Sequence, residues 1–193
     1  KRQVISAPRG NHGQSVAWAA RTHGVHCTIV VPQGNSVEKN AAMRALGAEL
    51  VEHGDDFQAS REHAAQLAQQ QGALMVPSFG AELVCGVATG WWEFFRAAPG
   101  LDVVYVPIGL GSGICAAIAA KLALGHTTRI VGVVSRHATT YADSLAAARV
   151  VAAPVSTVLA DGMACRVAEP EALEIIGSHV DHIVQVDDAE VAQ

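Results

Sequence analysis

Apolar residues fall along this chain in two alternating rhythms. Short apolar or β-branched runs lie at 4–6, 27–31, 49–51, 74–76, 103–108, 130–134 and 183–186, and they predict strands. Between them, apolar positions recur every three or four residues, as on one face of a helix. Helices are predicted over 13–23, up to 46 from a capping box of Asn35 and Glu38, to about 71 from a cap at Asp55 or Asp56, and over 82–96, 114–124, 141–148 and 170–176. Gly24, Gly47, Pro32 and Pro77 stop elements, and Pro170 stands in the first turn of its helix. Residues 187–193 read as a cap and the first turn of a further helix. The chain starts inside a strand–helix–strand pattern and stops inside that last turn, so a piece of a longer protein is expected.

Continuous apolar strands alternating with helices indicate an α/β fold, with parallel sheets covered by helices on both faces. A division is expected near Gly72, after the polar run Gln69-Gln70-Gln71, giving domains 1–72 and 73–193. In such folds ligands bind at the carboxyl ends of the strands. Two glycine loops fall there. Ser6-Ala7-Pro8-Arg9-Gly10-Asn11-His12-Gly13-Gln14-Ser15 follows the first strand, and Pro107-Ile108-Gly109-Leu110-Gly111-Ser112-Gly113 follows the fifth.

Composition narrows the function classes. Half of the 193 residues are hydrophobic, 16% are charged and the net charge is −5. A folded protein is implied, without the basic face that a nucleic acid needs. No apolar stretch reaches the length of a membrane span. Cys27, Cys85, Cys115 and Cys165 lie far apart, mostly among apolar neighbours, and are expected to be reduced core thiols of a cytoplasmic protein. His23 with His26, and His179 with His182, have a metal-pair spacing but cross element boundaries and lack further ligands, so no metal is expected. The Trp91–Phe95 cluster is expected in a core or a domain contact.

The second loop places Gly109, Gly111 and Gly113 where an anion can approach free backbone N–H groups at a helix start, with the Ser112 hydroxyl nearby. An ordinary tight turn is the alternative. No Lys follows the glycines, which excludes a P-loop, and the glycine spacing is too short for a dinucleotide fingerprint. The first loop crowds Arg9, Asn11, His12 and Gln14 onto one turn, more polar groups than a simple helix cap by Asn11 needs.

Together, Arg9-Gly10-Asn11-His12-Gly13-Gln14-Ser15, the stretch from Lys39 to Glu49, the 107–113 loop and Thr157-Val158-Leu159-Ala160-Asp161-Gly162 resemble the threonine dehydratase and serine racemase family. The resemblance covers essentially the whole chain. It implies a tryptophan-synthase-β-like fold (pyridoxal-phosphate fold type II), incomplete at both ends, with pyridoxal 5'-phosphate as cofactor. It implies a lyase that deaminates L-threonine, L-serine or a related hydroxy amino acid by β-elimination. β-Replacement, racemisation or a truncated noncatalytic homologue are the alternatives. A homo-oligomer is expected, acting on a small amino acid.

Site roles follow from the same resemblance. Asn11 would bond the cofactor's 3-hydroxyl, and Gly109, Leu110, Gly111, Ser112 and Gly113 would hold its phosphate. Gly162 would lie beside its ring. Pro8, Arg9, Gly10, Asn11 and His12 would hold the substrate carboxylate. The family's Schiff-base lysine is expected upstream of Lys1, since Lys39 and Lys121 sit on helices in the wrong context. Arg9 replaces the serine that serves racemases as acid and base, which argues against racemisation. Val134 and Thr140 replace the family's divalent-metal ligands.

Overall fold

Strand β2 (His26–Val31) buries every side chain after His26, and its two faces go to different partners. Cys27, Ile29 and Val31 pack with Val16, Ala17 and Ala20 of helix α1 (His12–Thr22) and with Met43 of helix α2 (Val37–Ala45). Val30 packs on the other side with Ile5, Ala7 and the small Ala64 and Ala68 of helix α3 (Phe57–Gln71). A strand covered on both faces has no place for a polar alternation, hence the unbroken apolar run in the sequence.

The computed structural model describes residues 2–8 and 11–193. They divide into two units, Lys1–Ser78 and Phe79–Gln193. The first unit holds a four-stranded sheet in the order β3-β2-β1-β4, with β1 at Gln3–Ser6, β3 at Glu49–Glu52 and β4 at Leu74–Met75. Every pairing is parallel. Gly72 ends α3 as a left-handed cap at φ 62°, a backbone state that glycine adopts without strain. The chain then adds β4 to the same sheet, with Val4 opposite Leu74 and Ile5 opposite Met75.

The second unit holds a three-stranded parallel sheet, β5 (Val103–Pro107), β6 (Arg129–Ser135) and β7 (His182–Val186), in that order. Its helices are α4 (Ala81–Ala97), α5 (Ser112–Leu124), α6 (Thr140–Ala146), α7 (Pro170–His179) and α8 (Asp188–Val191). Helix α5 is apolar nearly all round. Ile114, Cys115, Ala116, Ala117, Ile118 and Ala120 are buried as it packs against α4, α7, β5 and β6. Its alanines permit this close approach on several sides.

Several local expectations change. Ser36, not Asn35, caps α2 by accepting the Lys39 N–H at 3.3 Å, while the Asn35 side chain donates to Asn40 instead. Of the two candidate caps of α3, Asp56 serves, accepting the Ala59 N–H at 2.9 Å. Cys27, Cys115 and Cys165 are buried, but Cys85 lies exposed on α4 and is no core thiol. Of the aromatic cluster only Phe95 is fully buried, while Trp92 and Phe94 stay exposed. His26 faces Glu49 and His182 faces Asp181. Among the described residues no helix is long and apolar enough to cross a membrane.

Candidate functional site

In the first unit the loop after β1 is tied down before α1 begins. Val76 donates its N–H to the Ile5 carbonyl at 2.8 Å, and the Ser6 hydroxyl donates to the Val76 carbonyl at 2.9 Å. The Ser78 hydroxyl donates to the Ala7 carbonyl at 2.6 Å. The segment after β4 therefore clamps the carboxyl end of β1, a tether with no visible motif in the sequence. Arg9 and Gly10, both expected to hold the substrate carboxylate, lie outside the described residues. Pro8 is buried and packs against Gly13, where a Cβ would come within 2.7 Å of the proline ring. That glycine serves helix packing.

Asn11 takes the N-cap position of α1, but its side chain makes no capping hydrogen bond. The exposed amide is thus not used as the cap that its position suggests. His12 is half-buried, and its Nε2 lies 3.1 Å from the Pro77 carbonyl. A carbonyl only accepts, so Nε2 carries the hydrogen and Nδ1 is the bare nitrogen of the neutral ring. Burial holds the His12 pKa below its ordinary value, with the Pro77 bond opposing. A separate cleft of about 280 Å³ lies among Arg21, Val25, Cys27 and Gly47, at the amino end of β2 and away from this loop.

In the second unit β5 leads into residues 107–113 and α5. Cys115 is the first residue of α5 to bond backward, to the Gly111 carbonyl at 3.0 Å. No side chain caps the helix, so the N–H groups of Ser112, Gly113 and Ile114 have no intrahelical partner. The glycines differ in purpose. At Gly109 a Cβ would collide with the Gly162 carbonyl oxygen. Gly111 has φ 105°, and a Cβ there would lie 2.6 Å from Ala172 Cβ and 3.1 Å from the Tyr141 hydroxyl. A Cβ at Gly113 would meet nothing within 4 Å, and its φ is not positive. Neither backbone strain nor a protein neighbour demands glycine there, so the space in front of the helix start is open to a ligand.

Tyr141 holds this loop and was not singled out by sequence pattern. Its buried hydroxyl donates to the Leu110 carbonyl at 2.7 Å and accepts the Glu169 N–H at 3.2 Å. Burial raises the phenol pKa, so it stays a neutral donor. With the Leu110 carbonyl occupied, the loop presents N–H groups to the open side. Leu110 itself is buried, and Ser112 and Gly113 are half-buried. Gly162 sits in the short 3₁₀ turn Asp161–Met163 against Gly109. Val134 and Thr140 are buried, with the Thr140 hydroxyl donating to the Cys165 carbonyl at 2.6 Å. Burial pushes the Cys27 thiol up to about 11 and the Cys115 thiol up to about 12, which makes both poor nucleophiles.

An uncapped, glycine-lined helix start at the carboxyl edge of a parallel sheet is a feature of α/β proteins that bind anionic groups there. The chain belongs to the pyridoxal-phosphate dependent enzyme family, which matches it over residues 1–193. It is 36% identical to the L-threonine ammonia-lyase of Geobacter sulfurreducens over 191 residues, covering 98% of this chain and 47% of that protein. The processed form of threonine deaminase isoform 2 from Solanum lycopersicum superposes with a TM-score of 0.85 at 28% identity, covering 96% of this chain and 54% of that one. Maize serine racemase superposes with a TM-score of 0.87 at 24% identity, over 96% of this chain and 56% of that one, and shares the fold. The fold is thus fold type II of the pyridoxal-phosphate enzymes. The chain spans about half the length of the curated relatives it matches.

Two outcomes are expected. Gly113→Ala places a methyl leaning toward the helix start, because Cβ atoms point toward a helix N-terminus. It should leave the Tm unchanged or slightly raised and weaken pyridoxal-phosphate binding about tenfold, or about 1.4 kcal/mol. Gly109→Ala should instead destabilise the fold by about 1–3 kcal/mol through overpacking on Gly162. Thermal melts with cofactor titrations separate the two, and equal stability losses would contradict the distinction.

The second outcome concerns His12. A histidine whose folded pKa is depressed favours folding above its unfolded pKa and loses that contribution as pH falls. In denaturant titrations the stability difference between wild type and His12→Gln should therefore be constant above about pH 7.5 and shift below about pH 6.5, with wild type losing more. Parallel curves would show that His12 is not buried in neutral form.

Proposed function

We propose that this chain is the cofactor- and substrate-binding portion of an ammonia-lyase that deaminates L-threonine, L-serine or a related hydroxy amino acid. The observation that carries the reading is the uncapped start of α5, with open space at Gly113 and three unpaired N–H groups. The N–H groups of Ser112, Gly113 and Ile114 would bind the cofactor phosphate, with Gly109, Leu110 and Gly111 giving the loop its shape. Gly162 would lie beside the ring. Bound pyridoxal phosphate supplies an electron sink for the α-carbon of an amino acid.

We read the first unit as the substrate side. The free amide of Asn11 would bond the cofactor 3-hydroxyl. The loop of Pro8, Arg9, Gly10, Asn11 and His12 would hold the substrate carboxylate. Neutral His12 keeps its Nε2–H on Pro77, which orients the ring and leaves Nδ1 as an acceptor. These are positioning roles, and positioning is a large share of what a protein adds to cofactor chemistry. Cys27, Cys85, Cys115 and Cys165 form no disulfide with one another, which accords with a cytoplasmic setting. A homo-oligomer is expected of the assembled protein.

The test is ammonia release by the full-length gene product from L-threonine and L-serine, with and without an added thiol nucleophile and with and without a chelator. The expected result is ammonia with the matching 2-oxo acid, no thiol adduct, and turnover unaffected by chelation. A thiol-substituted amino acid as main product would assign β-replacement instead, and loss of turnover on chelation, restored by Mg²⁺, would place a metal in the site.

A further inference from the structure

Residues 149–169, which carry Gly162, contain little regular structure. They hold one isolated bridge, between Ala152 and Val167, and the short turn Asp161–Met163. Three large apolar side chains in this segment face solvent, Val158 at 81% exposure and Leu159 at 54% before the turn and Val167 at 40% after it. Hydrophobic packing therefore does not fix the stretch before the turn, and its order must come from hydrogen bonds.

Those bonds converge on one carboxylate. Asp188 begins α8, directly after β7, at the same carboxyl edge of the sheet as the phosphate loop. Its Oδ1 accepts the Thr157 hydroxyl at 2.8 Å, and its Oδ2 accepts the Val158 N–H at 2.9 Å. The Thr157 hydroxyl oxygen in turn accepts the Ala160 N–H at 3.1 Å. Thr157 thus acts as donor and acceptor at once, and a relay runs from Ala160 through Thr157 to Asp188. The Met163 N–H then closes the turn onto the Ala160 carbonyl at 2.8 Å, and the Gly162 carbonyl rests against Gly109.

Helix α8 does not need this carboxylate. Its start is already closed by the reciprocal capping box of Asp187 and Glu190, at 2.8 and 2.9 Å. Both oxygens of Asp188 are left for the loop. The bonds from Val158 and Thr157 hold the half-buried Asp188 carboxyl below its ordinary range.

We propose that Asp188, acting through Thr157, is a positioning residue that sets the place of the 161–163 turn beside the cofactor. The inference rests on the reading of residues 109–113 as the cofactor's phosphate loop. Asp188 touches neither cofactor nor substrate. It fixes the segment that presses on Gly109 and presents Gly162.

The test uses the full-length gene product as wild type, Asp188→Ala, Asp188→Asn and Thr157→Val. Two quantities are read besides Tm: amide hydrogen exchange over residues 158–163 without cofactor, and the dissociation constant of pyridoxal phosphate followed by its absorbance. Exchange should speed up by about tenfold or more in Asp188→Ala and Thr157→Val. The cofactor's Kd should rise about three- to tenfold at unchanged Tm, with Asp188→Asn intermediate. Unchanged exchange would overturn the tether, and faster exchange with unchanged Kd would reduce it to loop structure and overturn the positioning role. If Asp188→Ala fails to fold, Thr157→Val carries both measurements from the other side of the contact. Failure of wild type itself to bind pyridoxal phosphate would overturn the underlying reading, and is seen before any variant is compared.

Discussion

The tightest constraint in the second unit is the backbone contact between Gly109 and Gly162. No side chain fits between them, so the 109–113 loop and the 161–163 turn have one relative placement. Tyr141 fixes the next residue by taking the Leu110 carbonyl. Gly111 then reverses the chain in a backbone state that glycine favours, pressed against Ala172 and Tyr141. Once these contacts are made, α5 can only start where it does, with its first N–H groups pointing at open space. The loop is fixed on its protein side, and no side chain caps its helix start.

Magnitudes decide what such a start contributes. A helix macrodipole stabilises an anion at its N-terminus by about 0.3–1 kcal/mol, and up to about 2 in partly buried geometry. Hydrogen bonds to a charged group are worth about 1.5–3 kcal/mol each. Three unspent N–H groups therefore outweigh the dipole, and their orientation matters more than the net charge of the unit. This explains why so much of the surrounding structure, from Tyr141 to Asp188, acts on backbone position and not on charge.

Much of this was legible in the sequence, for definite reasons. The continuous apolar run at 27–31 revealed a strand buried on both faces, because helices cover it, whereas the equally apolar run at 103–108 forms a parallel strand at the sheet edge with Tyr105 exposed. The glycines of the second loop were visible as a group, but their separate purposes were not. Gly109 and Gly111 answer to Gly162 and Tyr141, which are distant in sequence. Tyr141 itself looked like any residue of a helix start. The tether of Val76 and Ser78 on β1 depends on β4 lying beside β1, and a two-residue strand carries almost no pattern. Asp188 was hidden by Asp187, since two adjacent carboxylates before a helix both read as caps. At Asn35 the nearest competing cap, Ser36, won because its hydroxyl reaches the Lys39 N–H while Asn35 is engaged by Asn40.

The central claim is that the start of α5 holds the cofactor phosphate as a dianion through backbone N–H groups. Phosphorus NMR of pyridoxal phosphate bound to the full-length gene product tests it most directly. The free phosphate monoester titrates with a second pKa near about 6. The account predicts one bound resonance whose shift stays constant between about pH 5.5 and about pH 8, because the N–H groups favour the dianion and depress that pKa. A bound resonance that titrates like the free cofactor would contradict it.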